Sequence, residues 1–237
     1  MKAIKNIAVF GDSILKGIQL NVENMRYHVD NHIDVDGISA RYSLIIRNFS
    51  KFGCTAAKGF AMIQSRLCKS DPSDMIVMDY GGNDCDFAWT EISENPDREH
   101  QPNVPLEKFK QIYRQIIETI KEHGVVPVLT TLPPLESQRF FDWFCGNLNK
   151  ERVLNWLGGT VDTIFRHQES YSKAVEELAR EMGTYLVDIR SAFLANGGAA
   201  KLMCADGIHP NTAGQRIITS EFVSFAEKLK LQRALAT

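Results

Sequence analysis

The sequence predicts an α/β protein, a three-layer α/β/α sandwich in which helices cover both faces of a mainly parallel, five-stranded sheet. Short apolar runs alternate along the chain with longer segments that are apolar at every third or fourth position, as expected for strands joined by crossover helices. The strand-like runs are apolar throughout, so both faces of the sheet should be buried. Five strands are too few for an eight-stranded barrel, and 237 residues suit a single domain, residues 1–237.

Five compact, β-branched runs are predicted to be the strands. The first, residues 4–10, ends where Gly11 interrupts the apolar run. The other four are residues 43–49, 75–80, 125–131 and 185–189. Ligands of open α/β sheets bind at the carboxyl ends of the strands, so residues that directly follow these runs are the first candidates for a functional site.

Four segments have the spacing of amphipathic helices. One of them has Pro105 near its start and Gly124 just past its end, which are ordinary start and stop signals. Another is expected to end with Gly183 as its C′ residue. The predicted segments are residues 57–67, 106–120, 160–182 and the stretch after Asn211.

Two longer connections, residues 85–104 and 133–159, follow the third and fourth strands. They contain all three tryptophans, Trp89, Trp143 and Trp156, together with several phenylalanines. Because both connections leave the carboxyl edge of the sheet, their aromatic side chains could form an acyl pocket, stack on sugar rings or cover the sheet edge.

The composition excludes several classes of partner. Lys plus Arg is 27 and Asp plus Glu is 29, and this net charge of −2 gives no basic field for nucleic acid. No apolar stretch approaches the roughly 18 residues that suggest a membrane span. The apolar run before Gly11 is too short for a signal peptide, so we expect a cytoplasmic protein with no membrane contact.

The five cysteines form no C-x-x-C pair, which favours free thiols over a zinc or redox site.

Small polar residues follow the first strand and precede the last helix. Ser13 follows the first strand in Gly11-Asp12-Ser13, where it is either a helix N-cap or a nucleophile near the positive end of a helix dipole. Asp206 lies three residues before His209 in a short turn. A serine hydroxyl needs an imidazole to take its proton, and the imidazole needs a carboxylate to hold its tautomer. The three residues therefore have the types that acyl transfer requires.

Two further strand ends offer hydrogen-bond donors. Asn83 follows the third strand in Gly81-Gly82-Asn83-Asp84, and Gly53 follows the second strand. Acyl transfer builds negative charge on the former carbonyl oxygen, and each preorganised donor there lowers the barrier by roughly 3–4 kcal/mol. Together with Ser13, His209 and Asp206, these segments supply a nucleophile, a base, an orienting acid and oxyanion donors.

These four segments, in this order, resemble the motifs of the SGNH hydrolase superfamily, also called the GDSL-like esterase/lipase family. The resemblance runs from Gly11 to Pro210, with Ile14 where the GDSL name expects leucine. It implies a flavodoxin-like fold and a Ser-His-Asp triad, with no metal or organic cofactor. The implied site consists of Ser13 as nucleophile, His209 as general base, Asp206 as its partner, and an oxyanion hole formed by the backbone N–H groups of Ser13 and Gly53 and the side chain of Asn83, with Gly59 as a rival to Gly53.

We further expect Asp12, Gly82 and Asp84 of the motifs, and Trp89 and Trp143 of the aromatic connections, to contact the substrate. The resemblance implies a serine esterase that hydrolyses a small-molecule ester, either a short acyl or an acetyl ester, including acetylated sugars. Acyl transfer by the same triad and a non-catalytic flavodoxin-like binding module are the alternatives. The oligomeric state is not predicted.

Residues 28–36 and Asp188 are weaker candidates for a functional site. Residues 28–36 are rich in His and Asp, but their alternation with Val and Ile indicates a surface strand or loop rather than a metal site. Asp188, at the end of the fifth predicted strand, could compete with Asp206 as the triad acid. No histidine lies near it in the sequence, so a turn or cap is the favoured role.

Overall fold

The central feature of the structure, a computed structural model that describes residues 4–29, 35–69 and 72–234, is a five-stranded sheet whose neighbours all pair in parallel. The strand order in the sheet is β4-β1-β5-β6-β7, so β5 is central and β1 lies between β4 and β5. β2 and β3 form a separate antiparallel hairpin. The strands are β1 (Asn6–Gly11), β2 (Ile18–Asn21), β3 (Arg26–Val29), β4 (Ile45–Asn48), β5 (Met75–Asp79), β6 (Val126–Thr130) and β7 (Tyr185–Val187).

Helices cover both faces of the sheet and confirm the three-layer α/β prediction. They are α1 (Val35–Tyr42), α2 (Ala56–Leu67), α3 (Trp89–Glu94), α4 (Leu106–Glu122), α5 (Ser137–Phe144), α6 (Lys150–Trp156), α7 (Asp162–Glu181), α8 (Ile189–Ala195), α9 (Gly198–Leu202) and α10 (Thr212–Ala234). Each of the four predicted helices is present within a few residues of its expected bounds. Among the described helices none is long and apolar enough to cross a membrane.

Strand residues alternate between two apolar clusters. In β1, Ala8 and Phe10 pack with α2, α4 and α7 on one face, while Ile7 and Val9 pack with α8 and α10 on the other. Both faces are buried because side chains point alternately up and down along a strand. This explains why the strand runs are apolar at every position.

A third apolar cluster lies beyond the carboxyl ends of the strands. The two connections predicted as long loops contain short helices, α3 in the first and α5 and α6 in the second. Their aromatic side chains pack against the first half of α7, with Trp89, Phe140 and Ile164 among the buried members. Sequence periodicity missed these helices because segments of six to eight residues are too short to establish a period of 3.6.

The segment after β1 differs from the prediction. No helix begins at Ser13: residues 13–17 form turns that lead into the β2–β3 hairpin. The hairpin turn is held by the side-chain oxygen of Asn21, which accepts hydrogen bonds from the backbone N–H groups of Glu23 and Asn24, and Met25 has a positive φ of 56°. No glycine marks this turn, so the usual signal of a tight hairpin is absent from the sequence.

Candidate active site

Ser13 lies just beyond the carboxyl end of β1. Asp12 fixes the turn, since its Oδ1 accepts a hydrogen bond of 2.8 Å from the backbone N–H of Ile14. The carbonyl of Ser13 accepts a second, from Ile18 at 2.9 Å. The helix dipole expected behind Ser13 is therefore absent, and its position is set by these turn hydrogen bonds.

Ser13, His209 and Asp206 form a continuous hydrogen-bonded chain. The Nε2 atom of His209 lies 2.9 Å from Ser13 Oγ, and its Nδ1 atom lies 2.7 Å from Asp206 Oδ2. The other carboxylate oxygen of Asp206 accepts the backbone N–H groups of Ile208 and His209, both at 3.1 Å. The structure thus brings together residues that are 196 positions apart in the chain.

The charge state of Asp206 sets the tautomer of His209. Burial raises the pKa of Asp206, but the hydrogen bond and positive charge of His209 and the backbone N–H groups outweigh it, so the pKa lies below its ordinary value. An ionised carboxylate can only accept hydrogen bonds, so Nδ1 of His209 must carry the hydrogen. Nε2 then has its lone pair free to accept the hydroxyl hydrogen of Ser13.

Gly207 lets the Asp206–His209 turn approach α5 closely. Its φ is +76°, and a Cβ at this position would lie 2.5 Å from the carbonyl oxygen of Glu136. The backbone N–H of Glu136 in turn donates to the carbonyl of Gly207 at 2.8 Å. Only glycine tolerates both the positive φ and the close approach to Glu136. The Asp206–His209 turn therefore packs directly against the second aromatic connection.

Three hydrogen-bond donors lie in the segments that border Ser13. Among the described residues, the backbone N–H groups of Ser13 and Gly53 donate to no acceptor in the chain. The Nδ2 atom of Asn83 donates to Asp12 Oδ2 at 2.9 Å and to the carbonyl of Cys54 at 3.3 Å, which fixes the plane of the amide.

Gly59, the rival to Gly53, lies inside α2. Its N–H already donates to the carbonyl of Thr55 at 2.9 Å, and a Cβ would overlap the ring of Tyr80. This glycine allows helix and strand to pack closely, and its N–H is unavailable to a substrate.

A second buried carboxyl, Asp79, lies next to Asp12. Burial raises the pKa of Asp12 to about 6, against the lowering effects of the Ile14 N–H, His209 and Asn83. Burial and then the charge of Asp12 raise the pKa of Asp79, whose Oδ1 accepts a hydrogen bond from Thr130 at 3.0 Å. The sequence analysis missed Asp79, although it is the only charged residue of an otherwise apolar strand, β5.

A cavity of about 160 Å³ opens beside Ser13 and runs into the aromatic cluster. Of the five residues expected to contact substrate, Asp12, Gly82 and Trp89 line it. The other two, Asp84 and Trp143, do not. Trp143 instead packs edge-on against Tyr27, with ring centroids 6.2 Å apart.

Asp84 caps a helix instead of facing the cavity. Both of its carboxylate oxygens accept the backbone N–H of Ala56, the first residue of α2, at 3.0 and 3.1 Å. The side chain is fully buried, and burial raises its pKa to about 7.

Two aromatic rings cover His209 from the solvent side. The ring of Tyr27, on the β2–β3 hairpin, lies 4.9 Å from the imidazole, and that of Phe52 lies 5.8 Å away and stacks on it. His209 is accordingly only 3% exposed, while Phe52 is 54% exposed. The sequence analysis missed Tyr27 because it missed the hairpin that carries it.

The remaining candidates take structural positions. Asp188 caps α8 by accepting the N–H of Ser191 at 3.1 Å and also accepts the hydroxyl of Thr131 at 2.9 Å, which agrees with the cap expected of it. Within residues 28–36, His28 lies on exposed strand β3 and Asp36 lies in α1, while residues 30–34 lie outside the described part of the chain.

Comparison with known proteins identifies the family of this fold. The sequence model of the GDSL-like Lipase/Acylhydrolase family matches residues 9–217. A lipase/acylhydrolase from Enterococcus faecalis superposes with a TM-score of 0.64 at 18% identity over 97% of each chain. An acetylxylan esterase from Geobacillus stearothermophilus gives a TM-score of 0.64 at 19% identity over 95% of this chain and 96% of the other. At these identities, the two superpositions establish the shared fold.

One curated relative overturns the predicted cellular location. An uncharacterized lipoprotein of Bacillus subtilis is 22% identical over 227 residues, which is 92% of this chain and 87% of the relative. The expectation of a cytoplasmic protein rested on the short apolar run before Gly11, and a relative named as a lipoprotein contradicts it. The cytoplasmic prediction is therefore wrong.

Proposed function

This chain belongs to the GDSL-like lipase/acylhydrolase family and is a carboxylic ester hydrolase, and on that premise we propose that it cleaves small-molecule acyl esters through a covalent acyl-enzyme on Ser13. The observation that carries the proposal is the hydrogen-bonded chain from Ser13 Oγ through His209 to Asp206, with distances of 2.9 and 2.7 Å.

In the first half-reaction His209 is the general base. Its Nε2 takes the hydroxyl proton as Ser13 Oγ attacks the ester carbonyl, and Asp206 stabilises the imidazolium that forms. The tetrahedral intermediate then collapses, and His209 gives the same proton to the leaving alcohol. The acyl group remains bonded to Ser13.

In the second half-reaction water replaces the alcohol. His209 deprotonates the water as it attacks the acyl carbonyl, and then returns the proton to Ser13 as the carboxylic acid leaves. In both halves negative charge develops on the carbonyl oxygen. The backbone N–H groups of Ser13 and Gly53 and the amide of Asn83 are the proposed donors to it, and removing one such donor typically costs about 10²–10³ in kcat.

The first test compares hydrolysis of p-nitrophenyl butyrate by the wild type and by Ser13→Ala. We expect the substitution to lower kcat by several orders of magnitude, up to about 10⁶, because the nucleophile is lost. Ser224→Ala, at a serine of α10 that does not line the cavity beside Ser13, is the matched control and should keep wild-type activity. Mass spectrometry of the wild type quenched during turnover should find the acyl group on Ser13. Loss of less than tenfold in Ser13→Ala would remove Ser13 from the mechanism.

A further inference from the structure

The cavity beside Ser13 is enclosed by apolar side chains from four helices of the aromatic cluster. Its wall includes Phe87, Trp89, Leu135, Phe140, Trp156 and Ile164. Ser13, Asn83 and His209 lie in the same wall, so the cavity joins the reacting atoms to the interior of the cluster. A substrate group that extends from the ester into this cavity meets a mainly apolar wall, which also contains the carboxyls of Asp12, Asp79 and Asp86.

Most polar side chains of the cavity wall are already hydrogen-bonded to the protein, and Asp79 Oδ2 is a buried exception without a partner among the described residues. Gln168 Nε2 donates to the carbonyl of Pro133 at 2.8 Å, and its Oε1 accepts from Arg190 at 2.8 Å. The hydroxyl of Thr163 donates to the carbonyl of Leu157 at 2.7 Å. A sugar ring in the cavity would bury most of its hydroxyl groups against apolar side chains, which costs free energy, whereas an alkyl chain needs no hydrogen-bond partners.

His167 in the same wall is engaged in the same way. Its Nε2 lies 3.0 Å from the carbonyl of Cys85, so Nε2 carries the hydrogen and donates it. Its ring lies 4.8 Å from that of Phe87 and 5.3 Å from that of Tyr171. Burial lowers the pKa of His167, so the neutral ring adds no positive charge that would attract an anionic group.

We propose that this cavity holds the acyl chain of the substrate and that the preferred acyl group is an unbranched chain of about six carbon atoms. The proposal rests on the function proposed above, and it names the substrate class of that same site. A dry cavity of about 150 Å³ lined by aliphatic and aromatic side chains is known to hold benzene, a six-carbon molecule, and this cavity measures about 160 Å³. An acetyl group would leave most of this cavity empty and forfeit its dispersion contacts.

The order of the reaction assigns the cavity to the acyl group rather than to the alcohol. The alcohol must leave and water must enter while the acyl group stays bonded to Ser13. A cavity lined by Trp89, Phe140 and Ile164 suits the group that stays, because these side chains are buried and give it apolar contacts throughout the reaction.

The test measures kcat/KM for p-nitrophenyl esters from acetyl to dodecanoyl, with the wild type and two cavity variants. The wild type should prefer hexanoyl to acetyl by at least about tenfold, the scale of discrimination of a well-fitted apolar pocket. Trp156→Ala enlarges the cavity from its partly exposed wall and should move the optimum to octanoyl or longer. Ile164→Phe fills the cavity and should move the optimum to butanoyl or shorter. Opposite shifts cannot arise from a general loss of stability.

Leu154→Ala is the matched control for Trp156→Ala. Leu154 lies on the same helix and packs against the same cluster, but it is not in the cavity wall, so the hexanoyl optimum should be retained. A parallel series of acetate esters with alcohols of two to twelve carbons should show no comparable optimum. An acetyl optimum in the wild type, an optimum unmoved in both cavity variants, or a dependence on alcohol length instead would overturn the acyl assignment. None of these outcomes bears on the proposed role of Ser13 as nucleophile, which the Ser13→Ala comparison tests separately.

Discussion

The amide of Asn83 and the carboxyl of Asp12 show how single side chains are held in the site. Its Nδ2 atom donates to Asp12 Oδ2 at 2.9 Å and makes a longer contact of 3.3 Å with the carbonyl of Cys54. The short hydrogen bond to Asp12 holds the plane of the amide, and the N–H of the longer contact is the one that would turn to a substrate oxyanion. Such preorganisation is what makes a donor effective towards developing charge, because little reorganisation is needed during the reaction. Asp12 is thus a positioning residue that acts through Asn83 and through the turn at Ile14.

Asp206→Asn should lower kcat by about 10⁴ while the protein stays folded, because the same substitution in a well-studied serine-protease triad costs about that factor. An amide at this position can donate to Nδ1 of His209, which would shift the hydrogen to Nε2 and remove the base that faces Ser13. Steady-state hydrolysis of p-nitrophenyl hexanoate measures this. Asp188→Asn is the control, since it alters the other carboxylate that the sequence offered, and a larger loss there would reverse the assignment.

The sequence located the proposed reactive groups because Ser13 follows a strand end, the Asp206–His209 turn precedes the last helix, and each residue has a distinctive type. Ser13, Asp206 and His209 were predicted from that pattern and from a family resemblance. Tyr27 could not be predicted, since its contact with His209 depends on a hairpin without a turn signal. Asp79 could have been predicted as a site residue, because a lone carboxylate in an apolar strand must be buried. A buried carboxylate costs free energy unless it is paired, so such a residue is a candidate for a functional role.

Helix α2 illustrates where local rules for elements fail. Its boundaries were predicted to within one residue, yet the residue at its N-cap, Thr55, makes no side-chain capping hydrogen bond. The cap comes from Asp84, 28 residues later in the chain. Capping rules consider only neighbours in sequence, so Asp84 was assigned to the substrate instead. Its position in a family motif is explained by the N-terminus of α2.

Asp84→Asn should flatten the dependence of folding stability on pH between about 4 and 7. Burial, partly offset by the Ala56 N–H, raises the pKa of Asp84 from 3.8 to about 7, so the folded protein binds more protons than the unfolded chain in this range. The stabilisation is complete below about pH 4 and is lost as the pH rises through 7. Removing the group should reduce the slope by up to about 1.4 kcal/mol per pH unit.

Urea unfolding at a series of pH values measures this slope. Asp142→Asn is the control: the hydrogen bonds of Lys150 and Gln138 lower the pKa of this exposed carboxyl, so its removal should not flatten the profile. Stability of the wild type that rises steadily from pH 4 to 7, with no change of slope in Asp84→Asn, would show that Asp84 is ionised in the folded protein.

The three apolar clusters raise the question of whether the molecule unfolds as one unit. Two clusters lie on the faces of the sheet, and the third forms the cavity wall beyond the strand ends. Buried hydrogen bonds join the third cluster to the sheet through Gln168, which links the carbonyl of Pro133 to Arg190. Arg190 is tied by its backbone N–H to Thr131, directly after β6. The cavity wall is therefore fixed to the carboxyl end of β6, which pairs with β5 in the sheet.

Gln168→Leu should uncouple the cavity wall from the sheet. All three tryptophans lie in α3, α5 and α6, so their fluorescence reports on this region, while far-UV circular dichroism reports on all helices and the sheet. In urea the two wild-type transitions should coincide. In Gln168→Leu the fluorescence midpoint should fall below the dichroism midpoint, because the carbonyl of Pro133 and the guanidinium of Arg190 lose their partner.

Gln138→Leu, at an exposed glutamine of α5, should leave the transitions coincident. Separate transitions in the wild type would mean that the cavity wall unfolds on its own, and the acyl preference should then weaken at urea concentrations that leave the sheet intact.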